Sequence, residues 1–176
     1  AFLNFVITDI KNYFEKTLQR SLQEIDLSLF TSYLTLDAGI NEGKNEVQFL
    51  FVYDKESRHL QHCQPSDLQE ELNGVAFQSP YGEFSFAGVP SEGMVSREDL
   101  FMDLLSVVSD SVDVKRMTVV SFNEEYGKKV TDVLQGLKGK EVMQFRMNEP
   151  EIPVNYKWDM LAFPVMHSLG IRAEEL

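Results

Sequence analysis

Residues 114–147 constrain the fold of this chain more than any other stretch. Residues 117–120 (Met-Thr-Val-Val) are β-branched and apolar enough for a strand, and residues 121–125 (Ser-Phe-Asn-Glu-Glu) make a polar turn. Val130, Val133, Leu134 and Leu137 then recur at helical spacing, Gly139 offers a stop, and residues 141–147 read as a second strand. A strand that feeds a helix and returns as a strand is a parallel, right-handed crossover. In open α/β sheets the carboxyl ends of such strands are where ligands bind. The turn also has a complete structural explanation. Asn123 can cap the helix, which leaves Glu124 and Glu125 in the first turn, where the helix dipole favours acids.

The remaining elements are read the same way. Residues 2–8 (FLNFVIT) form a short apolar run expected to be a buried strand, ended by Asp9. Ile10, Tyr13, Phe14, Thr17, Leu18, Ser21, Leu22 and Ile25 then predict an amphipathic helix from residue 10 to about 24, with Asp9 as its N-cap. A strand is expected at 32–36, and residues 47–53 (VQFLFVY) predict a strand buried on both faces. His59, His62 and Cys63 match no zinc spacing and read as a polar loop or an edge strand. A short helix at 66–72 and a strand pair within 75–88, turning at Ser79-Pro80-Tyr81-Gly82, come next. Ser96 and Asp99 have capping-box spacing and open a helix whose apolar stripe carries Asp103 at its edge. A last amphipathic helix is expected from Trp158 to Leu169, disturbed by Pro164. The alternation of strands and helices predicts an α/β fold with a mostly parallel central sheet and helices on both faces. One domain over 1–176 is expected, with a core at 2–147 and a C-terminal loop and helix at 148–176.

With 43% hydrophobic residues and 13 Phe, the 176-residue chain can bury a substantial core. No apolar run approaches the roughly 18 residues of a membrane span, and the N-terminus lacks the features of a signal peptide. The absence of an initial Met suits a trimmed or internal sequence. The single cysteine, Cys63, excludes an internal disulfide and suits a reducing compartment, so a cytoplasmic location and no membrane association are expected. A net charge of −12 disfavours RNA as a partner held through its phosphates. The charge is uneven, however. Between Lys115 and Arg146 seven basic residues face four acids, a net of +3 that leaves −15 on the rest.

If all the strands share one sheet, Asp9 and the turn at 121–125 lie along one edge, and Asp103 approaches from its helix. Several carboxylates at one point repel unless a divalent cation holds them, and hard oxygen ligands suit Mg²⁺ or Mn²⁺. Residues 5–12 (FVITDIKN) resemble the opening strand of NYN domains, the PIN-like nuclease fold, in which an Asp is followed three residues on by Asn. Residues 119–126 (VVSFNEEY) are similar to that family's later strand and its Ser-Gly-Asp-x-Asp-Phe turn, and the helix, Gly139, Lys140 and following strand match its continuation. The resemblance implies metal-dependent cleavage of RNA, with Asp9, Asp103 and Glu125 as catalytic metal ligands and Asn12, Ser121 and Asn123 contacting substrate or water. The chain departs from the pattern at the turn: Asn123 stands where the first Asp would be, Phe122 replaces the Gly, and Glu125 replaces the second Asp.

Two functions follow. One is a Mg²⁺- or Mn²⁺-dependent ribonuclease-like hydrolase. The other is a domain degenerate in catalysis that binds a protein partner, a second copy of itself or a small ligand. A phosphatase built on Asp9 is disfavoured, because Lys11 stands where such enzymes carry their second Asp.

Overall fold

A computed structural model describes all of residues 1–176, and the chain packs as two compact units. The first comprises Ala1–Glu92 together with Ala162–Leu176, and the second Gly93–Leu161. The class is α/β, and parallel pairing dominates. The single central sheet expected from the sequence is instead three small ones, of two, three and three strands.

The first unit opens with helix α1, Phe2–Leu18. The run at 2–8 is therefore helical and not a strand. Its apolar residues belong to the stripe that Ile10 continues, with Val6, Ile7 and Ile10 buried on one face. Nothing between Thr8 and Ile10 breaks a helix, so Asp9 is neither a strand end nor an N-cap but an exposed mid-helix residue. The helix stops where Gln19 turns left-handed, φ 54°.

Strand β1 (Ile25–Asp26) leads into helix α2, Leu27–Asp37, which replaces the strand expected at 32–36. Asp26 caps it, accepting from the Ser28 amide at 3.0 Å, an arrangement typically worth about 1 kcal/mol. Thr31 and Thr35 lie buried in this helix because each hydroxyl donates to the carbonyl four residues back, Leu27 at 2.9 Å and Thr31 at 2.8 Å.

Strand β2 (Asn45–Tyr53) forms where expected. Strand β3 (Cys63–Gln64) pairs in parallel with β1. A single π-type turn, Leu68–Leu72, is capped by Asp67. Strands β4 (Ala76–Ser79) and β5 (Gly82–Pro90) form the expected antiparallel pair, and β2 joins the other side of β5 in parallel, giving the order β2-β5-β4. Gly82, at φ 129°, lies so close to the Asn45 backbone that no Cβ would fit there. One face of this sheet carries an aromatic row. Phe84 and Phe86 are buried at its centre, Phe77 and Phe49 stack on Phe86 at 5.7 and 5.1 Å, and Phe51 stacks on it at 6.2 Å.

The second unit opens with helix α3, Arg97–Asp110, capped as expected by Ser96, whose hydroxyl accepts from the Asp99 amide at 3.1 Å. Strand β6 (Arg116–Val120), helix α4 (Asn123–Gln135) and strand β7 (Glu141–Arg146) form the predicted crossover, and β6 and β7 pair in parallel. Strand β8 (Lys157–Met160) adds to β7, also in parallel, so Trp158 lies in a strand and not in the last helix. Leu105, Met117, Val119, Val130 and Leu134 form the core between α3, α4 and the sheet. Lys129 of α4 pairs with Glu98 of α3 at 2.5 Å. The last helix, α5 (Ala162–Ser168), belongs to the first unit, where α1 and α2 pack against it. No helix is long and apolar enough to cross a membrane.

Candidate functional site

Three places bear on function. The first is a shallow, open depression of about 330 Å³ in the first unit, lined by Asn4, Phe5, Thr8, Asp9, Asn12 and Gln61. Asp9 and Asn12 meet here because residues three apart share a helix face. Most of the polar lining is already occupied. The Asn4 side chain donates to the His59 carbonyl at 2.9 Å and accepts from the Gln61 amide at 2.8 Å, and Thr8 donates to the Gln61 side chain at 3.2 Å. These bonds tie α1 to the loop before β3.

That loop gives His59 a structural partner. Arg58 grips Asp67 through two bonds, Nε to Oδ1 at 2.9 Å and Nη2 to Oδ2 at 2.7 Å, and His59 approaches the same carboxylate at 3.3 Å. Asp67 also caps the π-type turn, accepting from the Gln69 and Glu70 amides at 3.0 and 3.1 Å. The Arg58 guanidinium above all, then these amides, hold its carboxyl far below the usual carboxylate range. Cys63 is buried, and burial pushes its thiol up to about 12. The group is a structural clamp.

The second place is the carboxyl edge of the β6-β7-β8 sheet. Ser121 is buried there, and its hydroxyl donates to Asn123 Oδ1 at 2.6 Å, so the structure brings these two predicted residues together. The helix cap is Phe122 and not Asn123, which is the first helical residue and whose side chain turns back to Ser121. Gln144 is fully buried. Its Oε1 accepts from Arg146 Nη1 at 3.0 Å and from the Tyr156 hydroxyl at 2.9 Å, while its Nε2 has no acceptor. Burial also raises the Tyr126 hydroxyl above its ordinary value. The Gln144 amide, with Arg146 and the Tyr156 hydroxyl, is a candidate that the sequence does not single out. Its only trace in the sequence is Gln144 between the apolar Met143 and Phe145 of β7.

Asp9 is an exposed residue of the first unit, whereas Asp103 and Glu125 are exposed residues of α3 and α4 in the second. No three His, Cys, Asp or Glu side chains are gathered as a metal ion would need. Asp103 was expected at the edge of the apolar stripe. It faces water instead, because Phe101, Met102, Leu105 and Val108 supply the buried side of α3.

The third place is the outer edge of β2. Residues 47–53 were expected to be buried on both faces, yet β2 pairs with β5 alone and ends the sheet. Its exposure alternates instead, with Glu46, Gln48 and Leu50 open to solvent and Phe49 and Phe51 half-buried. Over Asn45–Tyr53 it carries no proline and no basic residue, the usual devices that blunt an edge.

A family model matches residues 1–176 in full. The chain belongs to a family of unknown function, DUF6621. No curated protein and no solved structure matches it.

Proposed function

We propose that this member of the family is a non-catalytic protein-binding module whose binding surface is the outer edge of β2. The observation that carries this reading is a mismatch. Strand β2 has the apolar composition of an interior strand but sits at the end of its sheet, with one row of backbone N–H and C=O groups unpaired by any strand. An extended segment laid along that edge would pair those groups and cover the half-buried rings of Phe49 and Phe51.

The likeness to NYN domains keeps its support in the second unit, where strand, polar turn, helix and parallel strand follow in that family's order. Its opening motif is helical here, and Asn123 engages Ser121 in place of a metal-binding acid. A PIN-like ancestry that has lost its chemistry fits both observations. A hydrolase using Asp9, Asp103 and Glu125 would need those three exposed carboxylates on one ion.

The test is incubation of the purified chain with single-stranded RNA and Mn²⁺, alongside thermal unfolding with and without the metal. The module reading expects intact RNA and an unchanged Tm. It is overturned by cleavage that Asp9→Asn or Asp103→Asn abolishes, or by a rise of several degrees with Mn²⁺ that Asp9→Ala removes.

A further inference from the structure

We infer that the segment received by the edge of β2 is β2 of a second copy of this chain. The two strands would run antiparallel about a two-fold axis at Phe49, making one continuous six-stranded sheet. This rests on the module reading above and names its partner.

Three observations point to a second copy. The first is register. Phe49 is the midpoint of the nine-residue strand, so a two-fold axis there overlaps β2 with its copy along its whole length. A two-fold axis normal to the sheet also keeps each face on its own side. On the buried face Phe49 meets Phe49, and Val47 meets Phe51, of the second copy. On the solvent face Gln48 meets Leu50, and Glu46 meets Val52.

The second is the aromatic row. Phe77, Phe86 and Phe49 stack in sequence across the sheet at 5.7 and 5.1 Å, and Phe49 ends the row on the open side, only half-buried. The same residue on a second copy continues the row.

The third is charge. Glu46 and Glu83 stand directly opposite each other on the solvent face of β2 and β5, so an incoming strand with an acid beside Glu46 would be repelled. The antiparallel register places the apolar Val52 there. It also sets Lys44 opposite Asp54 of the second copy at both ends of the seam. A parallel pairing in register would instead align Glu46 with Glu46 and gain neither benefit.

One strand pair covers less than the ~800 Å² per partner of a standard interface, so the association is of the weak, concentration-dependent kind. Each chain carries −12, and added salt therefore strengthens it by screening.

Sedimentation equilibrium of the full chain tests this, over concentrations from about one to several hundred micromolar. The mean mass should rise from 20.2 kDa toward twice that value, and rise further in higher salt. Two variants alter only exposed positions. Gln48→Lys/Leu50→Lys places lysine opposite lysine at the two symmetry-related Gln48–Leu50 pairs and should weaken the dimer about tenfold or more, with an unchanged circular dichroism spectrum. Gln48→Glu/Leu50→Glu should do the same. Mixing the two should restore association as a heterodimer, because each pair then joins opposite charges. A wild-type chain that stays monomeric throughout overturns the inference. So does a lysine variant that associates like wild type, or a mixture that stays monomeric. None of these results bears on whether the chain cleaves RNA, which the Mn²⁺ experiment decides separately.

Discussion

Replacing Phe84 by Ala tests whether the aromatic row holds the β2-β5-β4 sheet together. Phe84 is fully buried, and Phe49, Phe77 and Tyr81 lie around it with ring centroids 5.2, 5.5 and 6.5 Å away. Losing the ring forfeits about 1.5–3 kcal/mol of burial, and the cavity it leaves raises the typical Phe→Ala cost to about 3–5 kcal/mol. Collapse into the hole is limited, because the Phe49 and Phe77 rings are anchored on strands paired to either side of β5. The loss should therefore lie in the upper part of that range, about 4 kcal/mol. Phe77→Ala is the internal comparison. Its ring is only half-buried on the edge strand β4, and about half that cost is expected. A chain with two compact units need not unfold in one step, so a single global free energy is the wrong readout. Hydrogen exchange of the β4–β5 amides in increasing urea measures the sheet itself. A loss below about 1 kcal/mol for Phe84→Ala, or a Phe77→Ala cost equal to it, would refute the central place given to Phe84.

Other consequences follow from single contacts. Ser96→Ala removes the cap of α3 and should cost the second unit about 1 kcal/mol, read from thermal melts beside a Ser96→Asp control that restores the acceptor. Arg20 grips Glu175 through two bonds of 2.9 and 2.8 Å, and chiefly this, with the Arg172 amide, holds the Glu175 carboxyl at about 2. A depressed carboxyl stabilises the fold above its ordinary value of 4.5, and that contribution is lost as pH falls toward about 2. In Arg20→Gln the Glu175 titration followed by NMR should return toward 4.5, and the Tm should fall less steeply across that window. Cys63, neutral up to about 12, should resist a thiol reagent at pH 8 in the native chain and react at once in denaturant. Rapid native labelling would contradict its burial.

The parts of the fold legible in the sequence were those with local punctuation. Ser96 before a spaced apolar stripe gave α3. The Pro80-Tyr81-Gly82 turn gave the β4–β5 pair, and the turn at 121–125 gave β6-α4-β7. The first helix was missed because a seven-residue apolar run has the same composition in a strand and in a helix face. Only its continuation through Ile10 distinguishes the two. In α2 the short run at 32–36 reads as a strand, but the buried Thr31 and Thr35 hydroxyls bond back to helix carbonyls, and Asp26 supplies the start. Strand β2 was located correctly and placed wrongly. Composition reports how apolar a strand is, not whether the same chain supplies its second neighbour. Asp9 is a related case: the apolar run before it reads as a strand that ends there, and it is instead one face of a helix. Gln144 does not stand out as a site, since a polar residue that shares a strand face with Arg146 ordinarily marks an exposed face.

Amide exchange along β2 tests the central claim most directly. Parallel pairing with β5 engages only alternate residues of β2, so the remaining amides point outward along the open edge. The binding-edge account predicts that these outward amides exchange rapidly in dilute protein and become protected as concentration rises, while the β5-facing amides stay protected throughout. Outward amides that exchange rapidly at every concentration, with no change in mean mass, would contradict it.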